Sequence, residues 1–299
     1  MTTKVPTPMS PPGTLPIAPT EDEWQKMTPP ERERLLEKVL DSLSDPGRLM
    51  SEGRPHKKAK SRALDLLGLH FKALEQIVYL ADDMAIMYPG EEVFSPDVLA
   101  VLDVPQPEDD LRLAWVVADE KRGPDFVLEV HYVGDRNKDF VQNVERYARL
   151  GIPEYFIYDR ARQNVHGYRL TSPGETRYQR IVPQGGRYTS RVLGVDMVIR
   201  GGKLRFSQGS AELISSDDLI GRLTSMVEEL EARAQLAEGR AELATAGLRE
   251  GVLAVLDARG IACPDDARER LMSCDDPAVL QRWLARAKSV GSAAEVFEE

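Results

Sequence analysis

Apolar and polar positions change rhythm along the chain, and each rhythm predicts a different kind of element. Residues 1–20 hold many prolines and almost no large apolar side chains, the pattern of a disordered leader. From residue 21 to about 49, EDEWQKMTPPERERLLEKVLDSL reads as short helices, with Thr28-Pro29-Pro30-Glu31 in the form of a cap followed by proline in the first turn. Between about His56 and Ala81, the apolar positions Leu66, Leu69, Leu74, Ile77, Val78 and Leu80 predict a second helix packed on a sheet. Strand-like runs follow: AIMY (85–88) before a Pro-Gly turn, DVLAVLDV (97–104) after Ser95-Pro96, and DFVLEVHYV (125–133) after Gly123-Pro124. A helix from about Lys138 to Leu150 ends at Gly151 and Pro153, and EYFIYD (154–159) is a buried strand. VHGYRL, YQRIVP, GGRYTSRVL and VDMVIRGGKLRF then alternate as a strand meander.

The strand–helix–strand order over 125–159 implies a parallel pair joined by a right-handed crossover. The fold class is therefore α/β, a mixed sheet with flanking helices and an antiparallel extension, spanning about residues 50–206. Residues 207–299 read as a separate helical region. Within it, Ser215 to about Leu256 forms one long helix whose Leu223, Val227, Leu230, Ala234, Ala237, Ala241, Ala244 and Leu248 repeat as in a coiled coil. Alanines, Gly239 and Gly247 weaken that seam, so packing on its own chain and pairing with a second copy both stay open. The tail reads as two or three short helices.

Composition narrows the class. Hydrophobic content of 42% is that of a globular protein. No apolar run approaches the length of a membrane span. The N-terminus has proline where a secretory signal needs an apolar core. Cys263 and Cys274 form no metal-ligand pattern, which favours a reduced thiol pair and a cytoplasmic protein. Net charge is −10, at first sight unfavourable for a nucleic-acid partner. Its distribution is uneven: residues 51–159 carry 13 Lys/Arg against 21 Asp/Glu, residues 160–205 carry 10 against 2, and residues 207–299 carry 10 against 18. A basic segment directly after an acidic one suits an enzyme acting on phosphodiesters, although arginine-rich strand faces also serve solubility.

Candidate chemistry lies in the two apolar strands. In DFVLEVHYV, Phe126, Leu128 and Val130 share one face, and Val127, Glu129 and His131 the other. A glutamate in such a run is costly to bury alone; an ion pair or a metal ligand would each account for it. Asp97 opens the preceding strand. Two carboxylates placed this way could converge on one divalent cation, which takes oxygen ligands and activates water.

The ordered series SPDV, GPDFVLEV and DRNKDFVQNVERYARLGIPEYFIYD resembles the Uma-two type restriction endonucleases of the PD-(D/E)XK nuclease superfamily, over about residues 50–206. The resemblance implies a Mg²⁺-dependent endonuclease, with Mn²⁺ able to substitute, hydrolysing DNA through metal-activated water. It makes Asp97 and Glu129 the metal ligands. His131 stands where the superfamily lysine usually follows the acidic residue, and Asn143 stands in the helix slot that often supplies the lysine instead. Lys138 is then the expected substitute, pointing toward the carboxylates. Asp125, Glu52, His56 and His131 are lesser candidates for the site, and Tyr147 and Tyr155 are expected in the core. Cleavage of a duplex suits a homodimer. Two other readings remain: a catalytically silent nuclease fold that binds nucleic acid or a protein, and a dimerising scaffold whose helical 207–299 region meets a protein partner.

Overall fold

The computed structural model describes residues 15–44, 54–106, 111–132 and 135–298. They divide into two compact units, Met1–Leu219 and Ile220–Glu299. The helices are α1 (Glu21–Lys26), α2 (Pro29–Leu43), α3 (Arg54–Ala73), α4 (Val117–Glu120), α5 (Asn143–Arg149), α6 (Ser216–Ala258), α7 (Asp265–Met272) and α8 (Pro277–Ala287). The strands are β1 (Val78–Ala81), β2 (Ala85–Met87), β3 (Val98–Leu102), β4 (Ala114–Val116), β5 (Phe126–His131), β6 (Glu154–Asp159), β7 (Asn164–Arg169), β8 (Gln179–Arg180), β9 (Tyr188–Ser190), β10 (Val195–Arg200), β11 (Lys203–Gln208) and β12 (Ala211–Glu212).

The first unit is built on a six-stranded sheet in the order β1-β3-β5-β6-β7-β8. Its only parallel neighbours are β5 and β6, joined by the expected crossover, and the other neighbours are antiparallel. All six residues of β5 and all six of β6 are buried. Alternation then divides the core into two layers. Phe126, Leu128 and Val130 pack with Ala63, Leu66, Leu67 and Phe71 of α3 and with Leu204 and Phe206 of the second sheet, β12-β11-β10-β9. Val127 packs with Leu99, Tyr147, Ile152, Tyr155 and Trp115 on the other face. Burying one such large side chain contributes about 1.5–3 kcal/mol, so these two ladders hold the centre of the unit.

Three expectations need correction. The helix predicted from His56 to Ala81 stops at Ala73, because Glu75 takes a left-handed φ of 54° and Val78–Ala81 pairs with β3. The β-branched and aromatic run there competes better as a strand. The leader is structured at its end: Ala18 is buried, its N–H donates to Glu91, and Val93 N–H donates to Pro16. The helix expected from Lys138 begins with a π turn, Lys138–Gln142, before α5. Gly151, with φ of 77°, closes α5 as predicted.

In the second unit, Val252 and Leu256 of α6 pack with Leu271, Leu280 and Phe297. Farther toward its start, α6 leaves Leu223, Val227 and Leu230 exposed. Among the described residues no helix is long and apolar enough to cross a membrane.

Candidate carboxylate site

The β3–β5 register determines where the acidic residues fall. Val98 faces Leu128 and Leu99 faces Val127. One step further, the same antiparallel register sets Asp97 opposite Glu129, on the face shared with Leu99 and Val127. Asp97 N–H donates to Glu129 Oε2 at 3.4 Å, and Val130 N–H donates to Asp97 Oδ2 at 2.6 Å. Tyr147 of α5 donates its hydroxyl to Glu129 Oε1 at 3.1 Å. Only 9% of Asp97 and 5% of Glu129 is exposed, so solvent reaches the pair at its edge.

The first turns of α3 complete this arrangement. His56 Nε2 lies 3.0 Å from Asp97 Oδ1, and Lys60 Nζ lies 3.5 Å from the same oxygen. Lys60 is buried and also donates to both oxygens of Asp83 at 2.7 Å. Lys60 and Asp83 are functional candidates that sequence reasoning missed. The available signal was a lysine set in the apolar stripe that Ala63, Leu67 and Phe71 continue.

The two carboxyls are pushed in opposite directions. Burial alone would raise Asp97, but the hydrogen bond and charge of His56, the Val130 N–H and Lys60 outweigh it and hold Asp97 below its ordinary value. Burial and the adjacent Asp97 charge drive Glu129 well above the ordinary carboxyl range, against the opposing effect of Lys138. Glu129, burial notwithstanding, raises the Lys138 ammonium in turn.

Lys138 lines an open cleft with Gln142, Asn143 and Arg146. Its strongest electrostatic partner is Glu129, and Asp97 also acts on it. The π turn bears on this geometry. Asn143 N–H bonds to Lys138 C=O, an i→i+5 closure that brings residues five apart closer to one helix face than an α turn would. Asn143 itself is buried, and its Nδ2 finds no hydrogen-bond partner among the described residues.

The lesser candidates are placed as follows. His131 Nδ1 lies 2.8 Å from Asp139 Oδ2, and the ring meets Phe140 edge-on. Asp125 accepts from Leu102 N–H at 2.8 Å and Arg122 at 2.6 Å. Four residues before Glu129 on one strand, it is about 13 Å along β5 from the pair, so the structure does not bring it there. Glu52 lies outside the described residues. Tyr155 is buried in the core and donates to Asp139 C=O at 2.9 Å.

Part of the expected basic strip is taken up by ion pairs. Arg169 pairs with Glu154, Arg162 with Asp159, and Arg200 and Arg205 with Glu212.

Comparison with known proteins agrees with the sequence resemblance. Residues 45–199, just over half of the 299-residue chain, match the family model for Uma2, "Putative restriction endonuclease". Among solved structures, a putative nuclease belonging to DUF820 from Anabaena variabilis is similar. It shares 14% identity over 48% of this chain and 75% of its own, with a TM-score of 0.38. No curated protein matches.

Proposed function

The chain belongs to the Uma2 putative restriction endonuclease family, and from that premise we propose that it is a metal-dependent endonuclease hydrolysing DNA phosphodiester bonds. The observation that carries this reading is the pairing of Asp97 with Glu129 across β3 and β5, in surroundings that disfavour the charge of one of them.

The donor set fits a hard divalent cation, Mg²⁺ or Mn²⁺. Both groups are carboxylates, the burial and the Asp97 repulsion that together raise Glu129 are what a bound cation would offset, and Mg²⁺ is ordinarily held by one or two protein carboxylates together with water and substrate phosphate. Asp97 and Glu129 would be the protein's ligands, with water and substrate phosphate completing the shell. Such an ion supplies Lewis acidity and lowers the pKa of bound water. The chain's own residues do the remaining work. Val130 N–H and His56 hold the Asp97 carboxylate in orientation, and Tyr147 fixes one oxygen of Glu129. Lys138 offers positive charge from the cleft side, where an ammonium offsets charge developing on a phosphoryl group.

The test is nicking of supercoiled plasmid in Mg²⁺ or Mn²⁺ by wild type, Asp97→Asn and Glu129→Gln. Wild type should cut and both variants should lose activity by a hundredfold or more, on the order expected for a central electrostatic contributor. Equal cutting by Asp97→Asn would remove the basis of the reading.

A second reading, a silent nuclease fold that only binds, is favoured by the contacts on Asp97 Oδ1. Lys60 and His56 both lie against that oxygen, and Asn143 takes the helix slot where the family often has lysine. Calorimetric titration with Mn²⁺ separates the two: no metal binding by wild type, and binding by Lys60→Ala, would favour the silent form.

A further inference from the structure

A second feature lies on the other side of α3. His56 and Lys60 face the carboxylates, and Lys58 and Arg62, each two residues on, project from the opposite side of the same turns. There they line a pocket with Arg160 and Lys203. Four cations ring it, and no Asp or Glu lines it. The floor is apolar, from Leu66, Leu204 and Phe206. The cavity holds about 80 Å³, far below the roughly 300–1,000 Å³ of a cofactor or drug-sized site. It would take a group the size of a phosphate with part of its sugar.

Two of the guanidiniums are incompletely paired. Arg62 Nε and Arg160 Nη1 are buried and have no hydrogen-bond partner among the described residues. Arg62 reaches Asp218 through Nη2 at 3.5 Å, and the Arg160 guanidinium stands over the Tyr132 ring at 5.4 Å. Buried donors left unpaired cost free energy, and an anionic acceptor entering between these arginines would recover it. Lys58 and Lys203 are exposed at the mouth. Of the basic 160–205 segment, Arg160 and Lys203 are the members that line this pocket.

We propose that this pocket binds the sugar–phosphate backbone of a nucleic-acid strand, a few nucleotides from the phosphate presented to Asp97 and Glu129. The inference rests on the nuclease reading for the identity of the strand, and it names the surface that holds it. α3 contributes to both places, Lys58 and Arg62 to the pocket and His56 and Lys60 to the carboxylates, so one strand lying along it would meet both. Cation contacts of this kind position a strand without reading its sequence.

The test is fluorescence anisotropy with a labelled DNA duplex in EDTA, titrated at several salt concentrations, with plasmid nicking in Mn²⁺ run alongside. Lys58→Gln/Lys203→Gln should retain the wild-type melting temperature. It should also flatten the slope of log affinity against log salt by about two, the scale of two phosphate contacts. Between 50 and 200 mM salt, wild type should therefore lose about tenfold more affinity than the variant. Arg222→Gln/Arg240→Gln, which removes the same charge from the exposed surface of α6, should keep the wild-type slope. An unchanged slope in the pocket variant, an equal drop in the control, or no binding by wild type overturns the inference. If wild type cuts while the pocket variant binds as wild type does, only the pocket assignment falls. If the slope drops as expected but wild type never cuts, the pocket stands and the catalytic reading falls.

Discussion

Glu154 offers the clearest energetic test of how the first unit is held together. It opens β6, is 1% exposed, and accepts from Arg169 Nε at 2.6 Å, Ser190 Oγ at 2.5 Å, Arg191 N–H at 2.9 Å and Val192 N–H at 3.4 Å. One carboxylate thus ties the central sheet to the segment leading into β10. Glu154→Gln preserves the volume but turns an amide donor toward groups that are all donors, and it leaves Arg169 without its counter-charge. Breaking a buried pair from one side costs about 3–5 kcal/mol, and Gln, which keeps one acceptor, belongs at about 3 kcal/mol. Glu154→Ala orphans Ser190 and two backbone N–H groups as well and should cost about 5 kcal/mol. The assay is urea unfolding by tryptophan fluorescence in a Trp283→Phe background, where Trp24 and Trp115 report on the first unit alone. With a slope of about 2 kcal/mol per molar, the midpoint should fall by about 1.5 M for Gln. Glu154→Leu/Arg169→Met, which removes both charges, should cost less than Glu154→Ala. A Gln variant within 0.5 M of wild type would show, at roughly 1 kcal/mol on that slope, that the network does not hold the sheets.

Lys138→Ala should slow plasmid cleavage on the order of a hundredfold and Asn143→Lys should preserve or raise it; equal rates for Lys138→Ala and wild type would assign the charge elsewhere. Asp159 is pushed up by burial but held below the ordinary carboxyl range by its hydrogen bonds to Arg136 and Arg162 N–H and by the charges of both arginines. Its contribution to stability is therefore present above the unfolded value near about 4 and lost as pH falls through the lower folded value. Asp159→Asn should flatten the acid limb of a melting-temperature profile, and an unchanged limb would exclude that account. The exposed Leu223, Val227 and Leu230 of α6 predict two copies in solution; light scattering should give twice the single-chain mass, falling to one for Leu223→Glu/Leu230→Glu, and a single-chain mass for wild type refutes it.

The alternation of apolar residues carried much of this in advance. Because a strand's side chains alternate strictly, Val127 and Glu129 had to share a face, and the apolar ladder of β3 had to bring Asp97 to its end. What the sequence did not disclose was non-local. Lys60 is buried only because Asp83, 23 residues away, and Asp97 receive its charge, and a lysine in a helix otherwise reads as solvated. The end of α3 depended on Val78–Ala81 finding β3 as a partner, which no local propensity encodes. The segment β4–α4 gave no periodic signal because each element is only three or four residues long. Which arginines of the basic segment stay available was settled by their partners, not by their number.

The turn at Lys138–Gln142 has a consequence for how this protein can change. An i→i+5 turn holds one residue more than the α turn it replaces, so it is structurally equivalent to a single-residue insertion absorbed within the helix. Deleting Val141, which is 46% exposed, should allow the helix to regularise at little cost to the core. The residues before the deletion would then rotate by about 100°, one α-helical step, carrying Lys138 around the axis while Asn143 and Tyr147 stay in place. A relative lacking that residue would keep the carboxylates and the fold, yet present a different side chain to the cleft. Length variation by one codon at this point is therefore a route for changing which side chain this turn presents to the cleft, with Asp97 and Glu129 left untouched.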